Sequence, residues 1–576
     1  MSEAILKGGI CGSYGYAKGI AVIKPSFKKP PKYRIDDIDA EISRFLKAQS
    51  FCEARINALI DNNDNAEKSA LEILKAYRTI LRDNVFFKKP ISRLESEKIN
   101  IEYLVYDECK KAAAKFLSFE DSYLRERASD IENVCNELIL VMMGVDIDFK
   151  INIDSHEGAV VVANDLTPTE TMNMDKSFLQ AFITEKGGAT SHTVILAKTL
   201  GIPAIVGLQG ATALINGGDL LLVDAFNGLI TVNPEAHRIA EFQKLYEDFN
   251  TKLKKYDEDI ESPAITIDNR SVNVNVNIGD PDSIQSFDAT ICDGIGLFRT
   301  EFIYMNQKDF PDEETQYLMY RDIAERAFGK EVIIRTLDIG GDKQADYMNL
   351  PKEENPFLGY RAIRFSLDRR DIFHTQLRAI LRASAYGNVK IMFPMIVNVE
   401  ELRRAKECVE EAKHSLEVDG IKFNKDIPVG IMIETPAAVL ASDKLAPESS
   451  FFSVGSNDLI QYITATDRLN DKVQYLYDSC NLSVLQAIKM VAHNAKAANI
   501  PWGICGEVAS EDRLIPLWVT LGISELSVPQ VSVGKVKYLI RKIDCNNLNP
   551  EFERIFEMSL IEEAKHKLDD ILSKLL

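Results

Sequence analysis

In the C-terminal half of this 576-residue sequence, short apolar runs are followed repeatedly by charged or nucleophilic residues. Arg299 and Glu301 follow "GIGLF". Arg335 and Asp338 lie at the end of "VIIRTLD", and Lys343 stands in the "GGDK" that comes next. Glu434 ends "PVGIMIE", Asn457 and Asp458 follow "SVGS", Arg468 comes one short helix later, and Cys505 and Glu507 end "WGICG". Three arginines and a lysine brought to one place bind a compact polyanion, because guanidinium pairs bidentately with carboxylate and phosphate. Glu434 and Asp458 offer hard oxygens, and two carboxylates completed by substrate phosphate and water are the usual Mg²⁺ arrangement. For any one of these residues a surface ion pair is the ordinary alternative. Their recurrence at matching positions is what points to a site. Cys505, between glycines, reads either as a small buried apolar residue or as an acid–base group.

A second chemical centre lies upstream, in "EKGGATSHTVILAKTLGIPAIVG" (185–207). The pattern predicts a helix over about 191–200, with Thr190 or Ser191 as N-cap and a stop at Gly201 and Pro203. His192 then sits in the first turn, where the helix dipole disfavours imidazolium and leaves a nitrogen free as nucleophile. The unpaired N–H groups of that turn suit a transferred phosphoryl group, and Lys198 adds positive charge two turns on. A lone histidine at a helix start is ordinarily structural. Zinc ligation lacks a His or Cys companion at i+3 or i+4.

Both centres need elements to hold them. Eight strand candidates, near 273, 294, 332, 389, 428, 451, 502 and 525, alternate with helices and predict a (β/α)₈ barrel; a doubly wound open sheet is the runner-up. In a barrel, residues after strand ends gather at one mouth. Upstream, "GAVVVAN", "LQAFITE", "AIVG" and "DLLLVDAFNGLITVNP" predict a small α/β domain, which the Gly-rich N-terminal strand segment is expected to join. Four amphipathic segments between Ile38 and Met143 predict an inserted helical bundle. The expected division is 1–25 with 145–235 for the α/β domain, 26–144 for the bundle, 236–262 for a linker helix and 263–576 for the barrel.

Composition bounds the rest. Apolar residues make up 46% and charged residues 27%, as in an ordinary globular protein, and the net charge of −19 argues against general nucleic-acid binding. No apolar run is long enough to span a bilayer, and the N-terminus does not read as a secretory signal. Nine scattered cysteines without a CxxC pair suggest reduced thiols in the cytoplasm.

These segments resemble Enzyme I of the phosphoenolpyruvate:sugar phosphotransferase system, along essentially the whole chain. The resemblance is carried by "GGATSHTVILAKTLGIPAIVG", "DGIGLFRTEFIYM", "RTLDIGGDKQADYMNLPKEENPFLGYRAIR", "IMIETPAA", "FFSVGSNDLIQYITATDR" and "WGICGEVAS". It implies that His192 takes the phosphoryl group from phosphoenolpyruvate and passes it to a histidine of the phosphocarrier protein HPr. It further implies that Arg299, Arg335, Lys343, Asn457 and Arg468 bind phosphoenolpyruvate, that Glu434 and Asp458 hold Mg²⁺, and that Cys505 protonates the enolate carbon. Thr171 would hydrogen-bond the other nitrogen of His192. The bundle, with 121–134, would dock HPr, and the barrel would form a homodimer. To visit both, the α/β domain would swivel on linkers near 145 and 237–263. Departures from the family pattern are Ala189 and Lys198, where arginines are usual, Tyr77, where histidine is common at the docking surface, and Tyr14, where proline is usual.

Two alternatives are separable. A pyruvate phosphate dikinase or phosphoenolpyruvate synthase relative needs a large nucleotide-binding domain, and no Gly-rich nucleotide loop is present. A catalytically silent scaffold would keep the fold without needing His192, Cys505 and the acid pair intact.

Overall fold

The computed structural model describes residues 3–24, 27–61, 68–117, 122–145, 158–166, 174, 178–187, 193–194, 196–197, 201–305, 307, 309–340, 346–348, 350–351, 353–468, 470 and 472–576. The chain divides into two compact units, Met1–Thr251 and Lys252–Leu576.

In the first unit, the strand segment expected at the N-terminus does join the sheet of the small α/β fold. Strands β1 (Ala4–Lys7), β2 (Ile10–Ser13) and β3 (Tyr16–Ile23) enter one eight-stranded sheet with β4 (Ala159–Ala163), β5 (Leu179–Thr184), β6 (Ala204–Val206), β7 (Leu220–Asp224) and β8 (Leu229–Val232). Its order is β1-β8-β7-β3-β4-β5-β6-β2. The apolar run "AVVVA" is fully buried because β4 is central and covered on both faces. Val160 and Val162 point to one core, Val161 and Ala163 to the other, as period-2 strand geometry requires.

Between β3 and β4 lie the bundle helices α1 (Ile38–Asp61), α2 (Lys68–Leu81), α3 (Asn84–Glu97), α4 (Ile101–Leu117) and α5 (Ser122–Met142). One of the four expected amphipathic segments, "AEKSALEILKAYRTILRDNVFF" (66–87), is therefore divided between α2 and α3. Asp83 restarts the chain as a cap: its Oδ1 accepts the Phe86 N–H at 3.0 Å, and its carbonyl accepts the Phe87 N–H at 3.2 Å. Tyr77 also differs from expectation. It is 2% exposed in the bundle core, with its hydroxyl accepting from Asn133 Nδ2 at 3.0 Å, so it is not a docking-surface residue. The linker segment forms α6 (Ala236–Glu258), on which Phe242 and Phe249 pack edge-on against Tyr16.

In the second unit all eight expected strands form, and the closed barrel excludes the open-sheet alternative. Strands β9 (Asn273–Ile278), β10 (Gly294–Phe298), β11 (Glu331–Arg335), β12 (Asn388–Phe393), β13 (Val429–Ile433), β14 (Phe452–Gly455), β15 (Trp502–Cys505) and β16 (Glu525–Val528) are parallel. β16 closes on β9, with Val528 opposite Val276. Parallel closure puts every strand C-terminus at one mouth and every N-terminus at one floor. Among the described residues no helix is long and apolar enough to cross a membrane.

Candidate active site

The barrel mouth holds Arg299, Arg335, Glu434, Asn457, Asp458, Arg468 and Cys505. Lys343, His192 and Thr171 lie outside the described residues, as do Ala189 and Lys198. Arg335 and Cys505 are the last residues of β11 and β15, Arg299 and Glu434 follow β10 and β13 directly, and Asp458 lies in the first turn of helix α7 (Ser456–Thr464), which begins where β14 ends. Around His192, Thr193, Val194, Leu196 and Ala197 are helical. The stop expected at Gly201 is present: its φ is +66°, and the Ile202 N–H donates to the Ala197 carbonyl at 3.0 Å, the bond made by a glycine-terminated helix.

Charges at the mouth alternate in a ladder. Arg335 Nη2 donates to Glu301 Oε1 at 2.8 Å, and its Nη1 lies 3.0 Å from Asp338 Oδ2. Arg361 Nη2 donates to Asp338 Oδ1 at 2.8 Å and to Asp458 Oδ2 at 3.1 Å. Arg468 Nη1 then reaches Asp458 Oδ1 at 3.1 Å. Arg335 and Arg361 are only 5% and 3% exposed. Burial opposes charge on both, and the neighbouring carboxylates outweigh it, holding each guanidinium above its ordinary value. The buried Nε atoms of both arginines have no hydrogen-bond partner among the described residues, so the site keeps donor capacity that an oxygen-rich ligand would satisfy. Gly340 permits this packing. Its φ is +120°, and a Cβ there would lie 2.3 Å from Arg361 Cβ.

Glu434 is 1% exposed, and its Oε1 accepts the Met395 N–H at 2.6 Å. Burial, then Asp458 and Asp338, pushes its carboxyl up to about 8 against Arg335 and Arg361. Asn457 Oδ1 accepts the Glu507 N–H at 3.2 Å, which ties it to the loop after Cys505. The Cys505 thiol is buried beside Met392, Met432 and Phe451. Burial pushes it up to about 11, opposed by a hydrogen bond from Ser453 Oγ at 3.4 Å and by the charges of Arg335 and Arg299. Such a thiol is protonated at neutral pH, so it is equipped to give a proton rather than to attack as thiolate. The mouth combines fixed cations, a hard-oxygen pair and a proton donor.

The chain matches the PEP-utilising enzyme families in three places: the N-terminal family at 8–127, the mobile domain at 155–228 and the PEP-binding domain at 254–545. The phosphoenolpyruvate-protein phosphotransferase of Priestia megaterium is 36% identical over 557 residues, 95% of this chain and 96% of its own. That of Bacillus subtilis (strain 168) is 36% identical over 96% of this chain and 97% of its own. The chain belongs to the phosphoenolpyruvate-protein phosphotransferase family. A solution structure of Enzyme I (nEIt) is 30% identical, covering 42% of this chain and 99% of its own, at a TM-score of 0.36.

One residue of the family member's mouth escaped sequence reasoning. Arg361 joins both acids, yet it lies deep in the connection after β11 and follows no strand. The signal available was its place in "NPFLGYR", beside Gly359 and Pro356, in a loop too ordered in composition to be a simple connection.

Proposed function

We infer that this chain transfers the phosphoryl group of phosphoenolpyruvate to its own His192, releasing pyruvate, and then to a histidine of the phosphocarrier protein HPr. The observation that carries this reading is the arginine–carboxylate ladder at the mouth that also holds buried Cys505, in a barrel that matches the PEP-binding domain. Arg299, Arg335, Arg361 and Arg468, with Lys343 and Asn457, bind the substrate carboxylate and phosphate. His192 attacks phosphorus, and the bond from phosphorus to the enol oxygen breaks. Cys505 gives its proton to the enolate carbon, forming pyruvate, and the thiolate regains a proton from solvent. Thr171 fixes the His192 tautomer.

Glu434 and Asp458 would hold Mg²⁺. The residues fit this ion: they are hard oxygens, and burial first, then Asp458 and Asp338, disfavours the charged form of Glu434, a cost that a dication would offset. When bound, the ion stabilises charge on the phosphoryl oxygens. Arg361 and Arg468, which occupy the Asp458 oxygens here, would then turn to the substrate. In this reading 1–25 with 145–235 carries His192, 26–144 docks HPr, 236–262 links the parts, and 263–576 binds phosphoenolpyruvate and joins two chains into a homodimer in the cytoplasm.

The test is incubation with ³²P-phosphoenolpyruvate and Mg²⁺. The account predicts an acid-labile, base-stable label with one pyruvate released per label, and movement of the label to added HPr. Label from ATP instead, or pyruvate without label, would sink it.

A further inference from the structure

Phe357 belongs to a single helical turn, Pro356–Leu358, in the connection after β11. Its half-buried ring serves two guanidinium groups, with Arg361 Cζ at 6.0 Å and Arg468 Cζ at 5.7 Å from the centroid. Those arginines share one counter-ion, Asp458, each on its own oxygen at 3.1 Å. Ion pairing to a single carboxylate draws both guanidiniums inward, and one ring lies within cation–π reach of both.

The turn that presents the ring is held by its carbonyls. Phe357 O accepts the Tyr462 hydroxyl at 2.5 Å, and Leu358 O and Gly359 O accept Arg364 Nη1 at 2.9 and 2.8 Å. The Tyr360 N–H donates to both Glu353 oxygens at 3.0 Å. Tyr462 lies one turn beyond Asp458 on α7, and its hydroxyl also accepts from Arg361 Nη1 at 3.2 Å. Burial keeps this phenol protonated, up to about 12, so it remains a donor to Phe357.

We propose that Phe357 and Tyr462 are positioning residues of the substrate-anion site: the ring sets the separation of Arg361 and Arg468, and the phenol fixes both the ring's backbone and Arg361. This rests on the reading of the mouth as the phosphoenolpyruvate site. When the substrate's oxygens replace Asp458, both guanidinium forks are already spaced to receive them, so less ordering accompanies binding. Neither residue touches the Cys505 proton, so the effect falls on substrate affinity and leaves the proton-transfer step alone.

The test uses the full chain with Mg²⁺, reading pyruvate release against phosphoenolpyruvate concentration, with urea midpoints alongside. Phe357→Leu should raise KM about five- to ten-fold with kcat within two-fold, and Phe357→Trp should restore KM. Tyr462→Phe, which removes one oxygen, should raise KM about three-fold and decides the matter if the leucine variant does not fold. An unchanged KM overturns the proposal, as does failure of the tryptophan to restore it. A wild-type chain that releases no pyruvate would instead overturn the transferase reading.

Discussion

The two ends of the barrel each hold a strongly shifted glutamate, and their surroundings differ. At the mouth, Glu434 is 1% exposed and sits beside a ladder of three arginines and three acids. At the floor, half-buried Glu525 begins β16 and hydrogen-bonds Glu331, which begins β11 and pairs with Lys390. Burial first, then Glu331, pushes Glu525 up to about 8, the same value as Glu434. Floor crowding has a steric partner: a Cβ on Gly296 would lie 1.9 Å from Glu525 Oε1, so "GIGLF" keeps a glycine where the carboxyl crosses the barrel. The same shift therefore has two meanings. At the floor, beyond burial, a second acid raises the carboxyl. At the mouth, the buried Nε atoms of Arg335 and Arg361 have no hydrogen-bond partner among the described residues and offer cationic donors to an anionic ligand.

The sharpest way to break this comparison is to remove one cation at each end. Arg335→Met removes the cation that buried Glu301 and Asp338 share, with an expected loss of about 3 kcal/mol in urea unfolding. Lys390→Met, at a more exposed pair, should lose about 1 kcal/mol or less. Equal losses would erase the distinction. Exchanging the acids reads function: Glu434→Gln should cut phosphoryl transfer from phosphoenolpyruvate by about a hundred-fold or more, while Glu525→Gln leaves it within two-fold.

Cys505 offers a third contrast, with half-buried Cys11. With its thiol near 11, alkylation of Cys505 by iodoacetamide should still be accelerating between pH 9 and 10, and peptide mapping checks this. A plateau below pH 8 would remove it as a neutral-pH proton donor. The smallest effect is at the floor. Glu525 has a folded value above its unfolded one, so the native state holds the extra proton, and stability falls as pH rises from about 4.5 to about 8. Glu525→Gln should flatten that slope by on the order of 1 kcal/mol, discounted because the side chain is partly exposed. Thermal midpoints across that range would show it.

Much of this was legible in sequence because the barrel states itself twice: in short apolar runs and in the charge that follows each. Glu434 and Cys505 could be placed at strand ends before any coordinates. Arg361, Phe357 and Tyr462 could not, since their partnership joins a loop turn to the far end of α7 and exists only after closure. Glu331 and Glu525 read as ordinary polar strand starts, because a parallel strand's first residue is normally solvated. The α2–α3 break was hidden by apolar periodicity running through Leu81, Phe86 and Phe87, with Asp83 the lone contrary signal.

The most direct test of the central claim is to locate the phosphate. After brief reaction with phosphoenolpyruvate and Mg²⁺, peptide mass mapping under alkaline conditions should find a single phosphorylated residue, His192, and His192→Ala should carry none while still binding phosphoenolpyruvate. Phosphate on another residue, or undiminished labelling of His192→Ala, would contradict the account.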